Sequence, residues 1–130
     1  MIVLDASAAL ELLLGSQVGR AVERRLGDAT GLHYPELMPI EVISAVRRLA
    51  ASGQLSAHRA ASVIDDLVDL GGQRHPHGLF LRDVFRLSGR VTAYDAVYLA
   101  LADALDATLL TRDRRLARQA EGLVRVEVAG

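Results

Sequence analysis

The sequence predicts an α/β fold, a three-layer sandwich with a mainly parallel central sheet flanked by helices. Three observations carry that expectation. Short apolar runs such as "MIVLD" and "TLLT" show no polar alternation, the mark of strands covered on both faces. Between them lie longer segments whose apolar residues recur at helical spacing. Neither a repeat nor a linker interrupts this alternation over 130 residues, so the whole chain, 1–130, is expected to be one domain.

Taken in order, residues 2–5 read as the first strand, followed by a helix that starts at Ser7 and stops at Gly15. A second helix covers Val18 to Leu26 and ends at Gly27, and Leu32 to Tyr34 is a weak strand. After Pro35 the spacing of Met38, Val42, Val46 and Leu49 makes a helical stripe that runs to Gly53. Ser56 is suited to cap the next helix, whose Ala60, Val63, Ile64 and Leu67 face inward. A short strand or loop is expected at "QRHP", then a short helix over residues 79–88. In "TAYDAVYLALADAL" a hydroxyl, Thr92, precedes an acid, Asp95, by three residues, an arrangement like a capping box that opens an apolar helix. Residues 108–111 and 124–128 read as the last two strands.

Composition excludes several chemistries. All 15 basic residues are arginine, so there is no lysine for a P-loop, a Schiff base or a phospho-accepting receiver domain. With no cysteine, neither a disulfide nor a thiolate metal site can form, and any metal must sit on oxygen or histidine. His33, His58, His75 and His77 lack metal-ligand spacing and are expected on the surface or in loops. The N-terminal apolar runs are broken by Asp5 and Glu11, which argues against a signal peptide or a membrane span and for a cytoplasmic protein.

Most of the 16 acids sit among polar neighbours and read as solvated. Four do not. Asp5 and Asp113 each follow an apolar strand, while Glu41 and Asp95 lie near the starts of apolar helices. Each alone is explained by helix capping or the macrodipole. A parallel sheet, however, brings strand ends and helix starts to one rim, where ligands of open α/β sheets bind. Carboxylates gathered there repel, and a shifted protonation or a bound cation relieves the repulsion. Oxygen donors alone suit Mg²⁺, with Mn²⁺ able to substitute, and such an ion chiefly serves phosphoryl chemistry.

In order and spacing, "IVLDASAALELLLG", "PELMPIEVISAVRRL", "TAYDAVYLALADAL" and "LLTRDRRLA" resemble the four acidic motifs of PIN-domain ribonucleases, specifically the VapC-type toxins of type II toxin–antitoxin pairs. The resemblance spans essentially the whole chain. It implies a PIN-like sandwich that hydrolyses RNA phosphodiesters with a Mg²⁺-activated water, in which Asp5, Glu41, Asp95 and Asp113 are the metal-holding, catalytic acids. Ser7 and Thr111 fall where the family often has a supporting hydroxyl. It also implies a cognate antitoxin as partner, and assembly as a homodimer or a toxin–antitoxin hetero-oligomer. Leu10, Leu13, Leu14 and Val18, with the "EVISAVRRL" helix, are the expected partner groove. Arg74, Arg82, Arg86, Arg90 and Arg112 are candidates for holding phosphates of single-stranded RNA. Arg90 departs from the family, which often has a small polar residue or asparagine there. A small phosphate-ester hydrolase and a catalytically inactive partner-binding domain remain as alternatives; Ser7 stands where the former would repeat its acid, and four intact acids oppose the latter.

Overall fold

The structure, a computed structural model, describes all residues, 1–130. Its strands are β1 (Ile2–Leu4), β2 (Leu32–Pro35), β3 (Gln73–His75), β4 (Thr108–Thr111) and β5 (Arg125–Val128). The helices are α1 (Ala6–Leu14), α2 (Gln17–Gly27), α3 (Leu37–Ala51), α4 (Ala57–Val68), α5 (Leu81–Leu87), α6 (Ala93–Leu105) and α7 (Arg114–Gln119), with a 3₁₀ turn at Gly78–Phe80 leading into α5. The sheet is parallel throughout, in the order β3-β2-β1-β4-β5. Successive connections step one way from β1 to β3 and the other way through β4 and β5. The switch therefore falls between β1 and β4, which lie side by side with Leu4 opposite Leu110.

Why β1 and β4 take the centre follows from their side chains. Ile2, Val3, Leu4, Leu109 and Leu110 are all buried, so both faces of these strands need a helix over them. One of those helices is α6, buried at every position from Ala96 to Ala102 and packed on β1, β2 and β4. Small alanines let it approach closely, and Leu99 and Leu101 fill the space between. Truncating Leu99 to alanine would cost about 2–5 kcal/mol, which makes α6 one of the firmest elements in the molecule. No helix is long and apolar enough to cross a membrane.

The α1–α2 corner is equally tight. Gly15 takes a left-handed φ of 64° to end α1, and at Gly19 an added Cβ would stand 2.0 Å from the Glu11 carbonyl oxygen. Only glycine permits α2 to cross that close to α1.

Three expectations need correction. The first helix starts at Ala6, because the Asp5 carboxylate accepts the Ala8 N–H at 2.9 Å and is itself the N-cap; Ser7 lies inside the helix with its hydroxyl free for other work. The first strand accordingly ends at Leu4. Two of the four histidines also differ from expectation: His33 and His75 are half-buried strand residues on β2 and β3, with Nδ1 of the former 2.9 Å from Nε2 of the latter. Burial, reinforced by the His75 neighbour, holds the His33 imidazole below its usual pKa. His77 accepts the Leu37 N–H at 3.0 Å and so caps α3, whose own N-cap residue Glu36 makes no such bond. His58 is exposed, as expected.

Candidate active site

Three of the four singled-out acids occupy helix starts at the carboxyl rim of the sheet. Asp5 caps α1, Asp113 caps α7 by accepting the Leu116 N–H at 3.0 Å, and Asp95 lies in the first turn of α6. Glu41 follows one turn further along α3. The unpaired N–H groups of helix starts carry partial positive charge, which is how a fold tolerates several carboxylates in one place.

Around Asp5 the geometry is dictated by backbone. The Arg112 N–H donates to Ser7 Oγ at 2.9 Å and the Asp113 N–H to Thr111 Oγ1 at 3.0 Å. With an amide on each hydroxyl oxygen, the single hydroxyl protons turn to Asp5: Ser7 donates to Oδ1 at 2.7 Å and Thr111 donates to Oδ2. The two hydroxyls stand 3.3 Å apart with both protons committed to the carboxylate. The chain reversal after β4 thus fixes the orientation of an acid more than 100 residues earlier.

Glu41 is held differently. Tyr98 lies one turn after Asp95 on α6, is 2% exposed, and donates its hydroxyl to Glu41 Oε1 at 2.5 Å. Burial, with the Glu41 carboxylate against it, pushes the phenol far above its ordinary pKa, so it acts only as a donor. Glu41 Oε2 has no protein partner of this kind.

Each acid feels the charge of its neighbours in the set. Burial raises the Asp5 carboxyl most; hydrogen bonds from Thr111, Ala8 and Ser7 oppose it, and the charge of Asp113 adds to it. Glu41 is raised by burial, opposed by Tyr98 and reinforced by Asp95 and Asp5. Asp95 is raised by burial, opposed by a hydrogen bond with Thr92 and the charge of Arg115, and reinforced by Asp113. All three are carboxyls made more basic than usual, the expected signature of a functional acid cluster.

No three acidic or histidine side chains close around a single point. Asp5 is turned onto its hydroxyls and Glu41 onto Tyr98, so the ring is an open set of neighbouring charges. That arrangement suits Mg²⁺, which retains several waters and takes only one or two carboxylates directly. The donor set fits as well: four carboxylates flanked by two hydroxyls, with the histidine pair on the separate β2–β3 flank.

The arginines divide. Arg112 sits between Thr111 and Asp113, but its guanidinium pairs with Glu11 at 2.7 Å, and Ser16 holds the other oxygen of Glu11. Arg90 lines a cleft of about 400 Å³ together with Asp95, Thr92, Arg115 and Gln119. Arg74 lies on edge strand β3 beside a separate cleft bordered by Ile43, Ile64 and Leu67. Arg82 and Arg86 are on α5, where Arg86 pairs with Asp83 at 3.2 Å. Of the residues proposed for a partner groove, Leu13 is buried, while Leu10, Leu14 and Val18 are partly covered against the core.

Sequence reasoning missed Tyr98 and Glu11. For Tyr98 there was a signal, its spacing three residues after Asp95 on a helix. For Glu11 there was none, since Arg112 is 101 residues away.

Residues 2–122 match the PIN domain family, a span that ends before β5. Ribonuclease VapC12 of Mycobacterium tuberculosis is 40% identical over 118 residues, covering 91% of either chain. Ribonuclease VapC9 of the same organism is 43% identical over 117 residues, covering 89% of this chain and 88% of the relative. Ribonuclease VapC3 of Pyrobaculum aerophilum is 33% identical over 127 residues, covering 95% and 97%. Among solved structures, PAE2754 from Pyrobaculum aerophilum superposes with a TM-score of 0.73 at 21% identity over 95% of this chain and 87% of that one, a likeness of fold.

Proposed function

The chain belongs to the PIN-domain family, among its VapC-type ribonucleases, and from that premise we propose that it is a Mg²⁺-dependent toxin nuclease that hydrolyses RNA phosphodiester bonds. The observation that carries this is the ring of Asp5, Glu41, Asp95 and Asp113 at the switch point between β1 and β4, with three of its members raised by burial and by one another.

Asp5, Glu41 and Asp95 would hold or orient the ion, with Asp113 completing a second, weaker position. When bound, Mg²⁺ supplies polarisation of a phosphoryl oxygen and a water acidic enough to act as nucleophile near neutral pH. The protein's own contribution is orientation. Ser7 and Thr111 spend their protons on Asp5, so its charge points one way without reorganisation. Tyr98 takes Glu41 Oε1 and leaves Oε2 free to face the ion.

A cognate antitoxin completes the proposal. Four carboxylates attract a guanidinium as well as a cation, and an arginine from the partner would compete with Mg²⁺ by pairing with one of the acids. The partner's apolar side would lie along the exposed parts of Leu10, Leu14 and Val18 and along α3. A toxin homodimer or a hetero-oligomer, working in the cytoplasm, is the corresponding assembly.

The deciding experiment incubates purified protein with single-stranded RNA and, separately, with a small phosphate monoester, each with Mg²⁺, Mn²⁺ or EDTA. RNA should be cut only with metal, and the ester should survive. Turnover of the ester, or metal-independent cutting of RNA, would overturn the proposal.

A further inference from the structure

The cleft between the Ser88–Thr92 loop and α7 lies beside the acids, and Asp95 forms part of its wall. We propose that it is a binding subsite for a backbone phosphate of the RNA strand, next to the bond that is cut, with Arg90 and Arg115 as its phosphate-binding residues and Gln119 as a further donor. This rests on the RNA reading above and names where the strand leaves the acids.

Lining chemistry is the first reason. Of eight residues around the cleft only Val91 is hydrophobic, Val91 is itself buried, and no aromatic side chain lines it. Two guanidiniums and an amide are what a phosphate needs. Arg115 and Gln119 are four apart on α7 and so present one face of that helix to the cleft. Across from them, Arg90 donates to the Glu121 carbonyl at 3.2 Å, which ties the loop to the segment after α7 and leaves its remaining N–H groups uncommitted.

Charge is the second. A polyanion approaching four carboxylates must meet positive charge close by, or repulsion keeps it out. Arg112 is already neutralised by Glu11. By contrast neither Arg90 nor Arg115 has a carboxylate within 4.0 Å. The cleft is thus a place beside the acids where cationic groups have no carboxylate partner.

The test measures binding of a fluorescently labelled single-stranded RNA by anisotropy in EDTA, where no cleavage occurs, across a series of salt concentrations. Wild type should bind with a salt-dependent affinity. Arg90→Ala and Arg115→Ala should each weaken binding and make the slope of log affinity against log salt shallower by about 0.7, the value for one phosphate contact on a single strand. Arg115→Lys should keep the slope, and Arg48→Ala, at the far end of α3, should leave it unchanged. If Arg115→Ala does not fold, Arg115→Gln serves in its place. Wild-type slopes in both cleft variants overturn the subsite, and so does an Arg48→Ala effect of equal size, which would mark diffuse charge alone. Failure of wild type to bind RNA at any salt overturns the RNA reading itself and the subsite with it.

Discussion

The strand-borne and helix-borne halves of the acidic ring are built in different ways. Asp5 and Asp113, at the ends of β1 and β4, are held by main-chain amides acting directly or through Ser7 and Thr111. Glu41 and Asp95 ride on α3 and α6, half-exposed, and Glu41 depends on the single hydroxyl of Tyr98. A carboxylate oriented by backbone cannot relax without giving up main-chain hydrogen bonds, whereas one oriented by another side chain depends on where that side chain's helix lies. The strand half is accordingly the backbone-held reference of the site, and in the helix half Glu41 is the member held by a side chain alone.

The largest expected effect is at the fixed half. Asp5→Asn replaces an oxygen that accepts a hydroxyl proton with an amide that donates, so it removes the charge and also sets a donor against a donor. Cleavage should fall below detection while circular dichroism stays native, and activity near wild type would break the distinction at its root. Next comes Thr111→Val, which is isosteric but strips Asp5 of one donor and leaves the Asp113 N–H unpaired. A loss of roughly 10–100-fold in activity or metal affinity is expected for such a supporting residue, with a stability cost of about 1 kcal/mol for the part-buried amide. Should Ser7→Ala match it in activity and the double variant lose no more, the two hydroxyls act as one unit.

A third prediction concerns pH and metal. Asp5, Glu41 and Asp95 are all raised in the folded protein, so the native state binds protons more tightly than the unfolded chain. Their contribution to stability is therefore complete below the ordinary carboxylate range near pH ~4 and is lost as pH rises through the raised values. In EDTA, Asp95→Asn should melt above wild type near neutral pH and converge with it in acid. Mg²⁺ at ~100 times its dissociation constant should stabilise wild type by about 2.7 kcal/mol at neutral pH, and the Asp95→Asn protein by less. A melting temperature indifferent to both changes would remove the charge ring as a functional unit.

The smallest effect is expected at the helix half. Tyr98→Phe keeps the ring packed and lets water replace the lost donor at half-exposed Glu41, so stability should change by no more than about 1 kcal/mol. The half-saturating Mn²⁺ concentration should rise by roughly tenfold or less, with activity recovering at saturating metal. A collapse as deep as that of Asp5→Asn would show the helix half to be as rigid as the strand half.

Much of this was legible in sequence because the governing rules are local. Unalternating apolar runs marked β1 and β4, helical spacing marked α3 and α6, and acids at element ends marked Asp5, Glu41, Asp95 and Asp113. These are properties of a few neighbouring residues, set by backbone geometry and capping. What tertiary structure alone decided were the partnerships across long separations. That Thr111 and Ser7 both turn their protons to Asp5, that Tyr98 reaches Glu41 from another helix, and that Glu11 consumes Arg112 while Arg90 and Arg115 stay free each depends on which strand lies beside β1. Strand order is a global property, settled by how helices cover both faces of the sheet at once, so a side chain's partner two elements away leaves no periodicity in the sequence that encodes it.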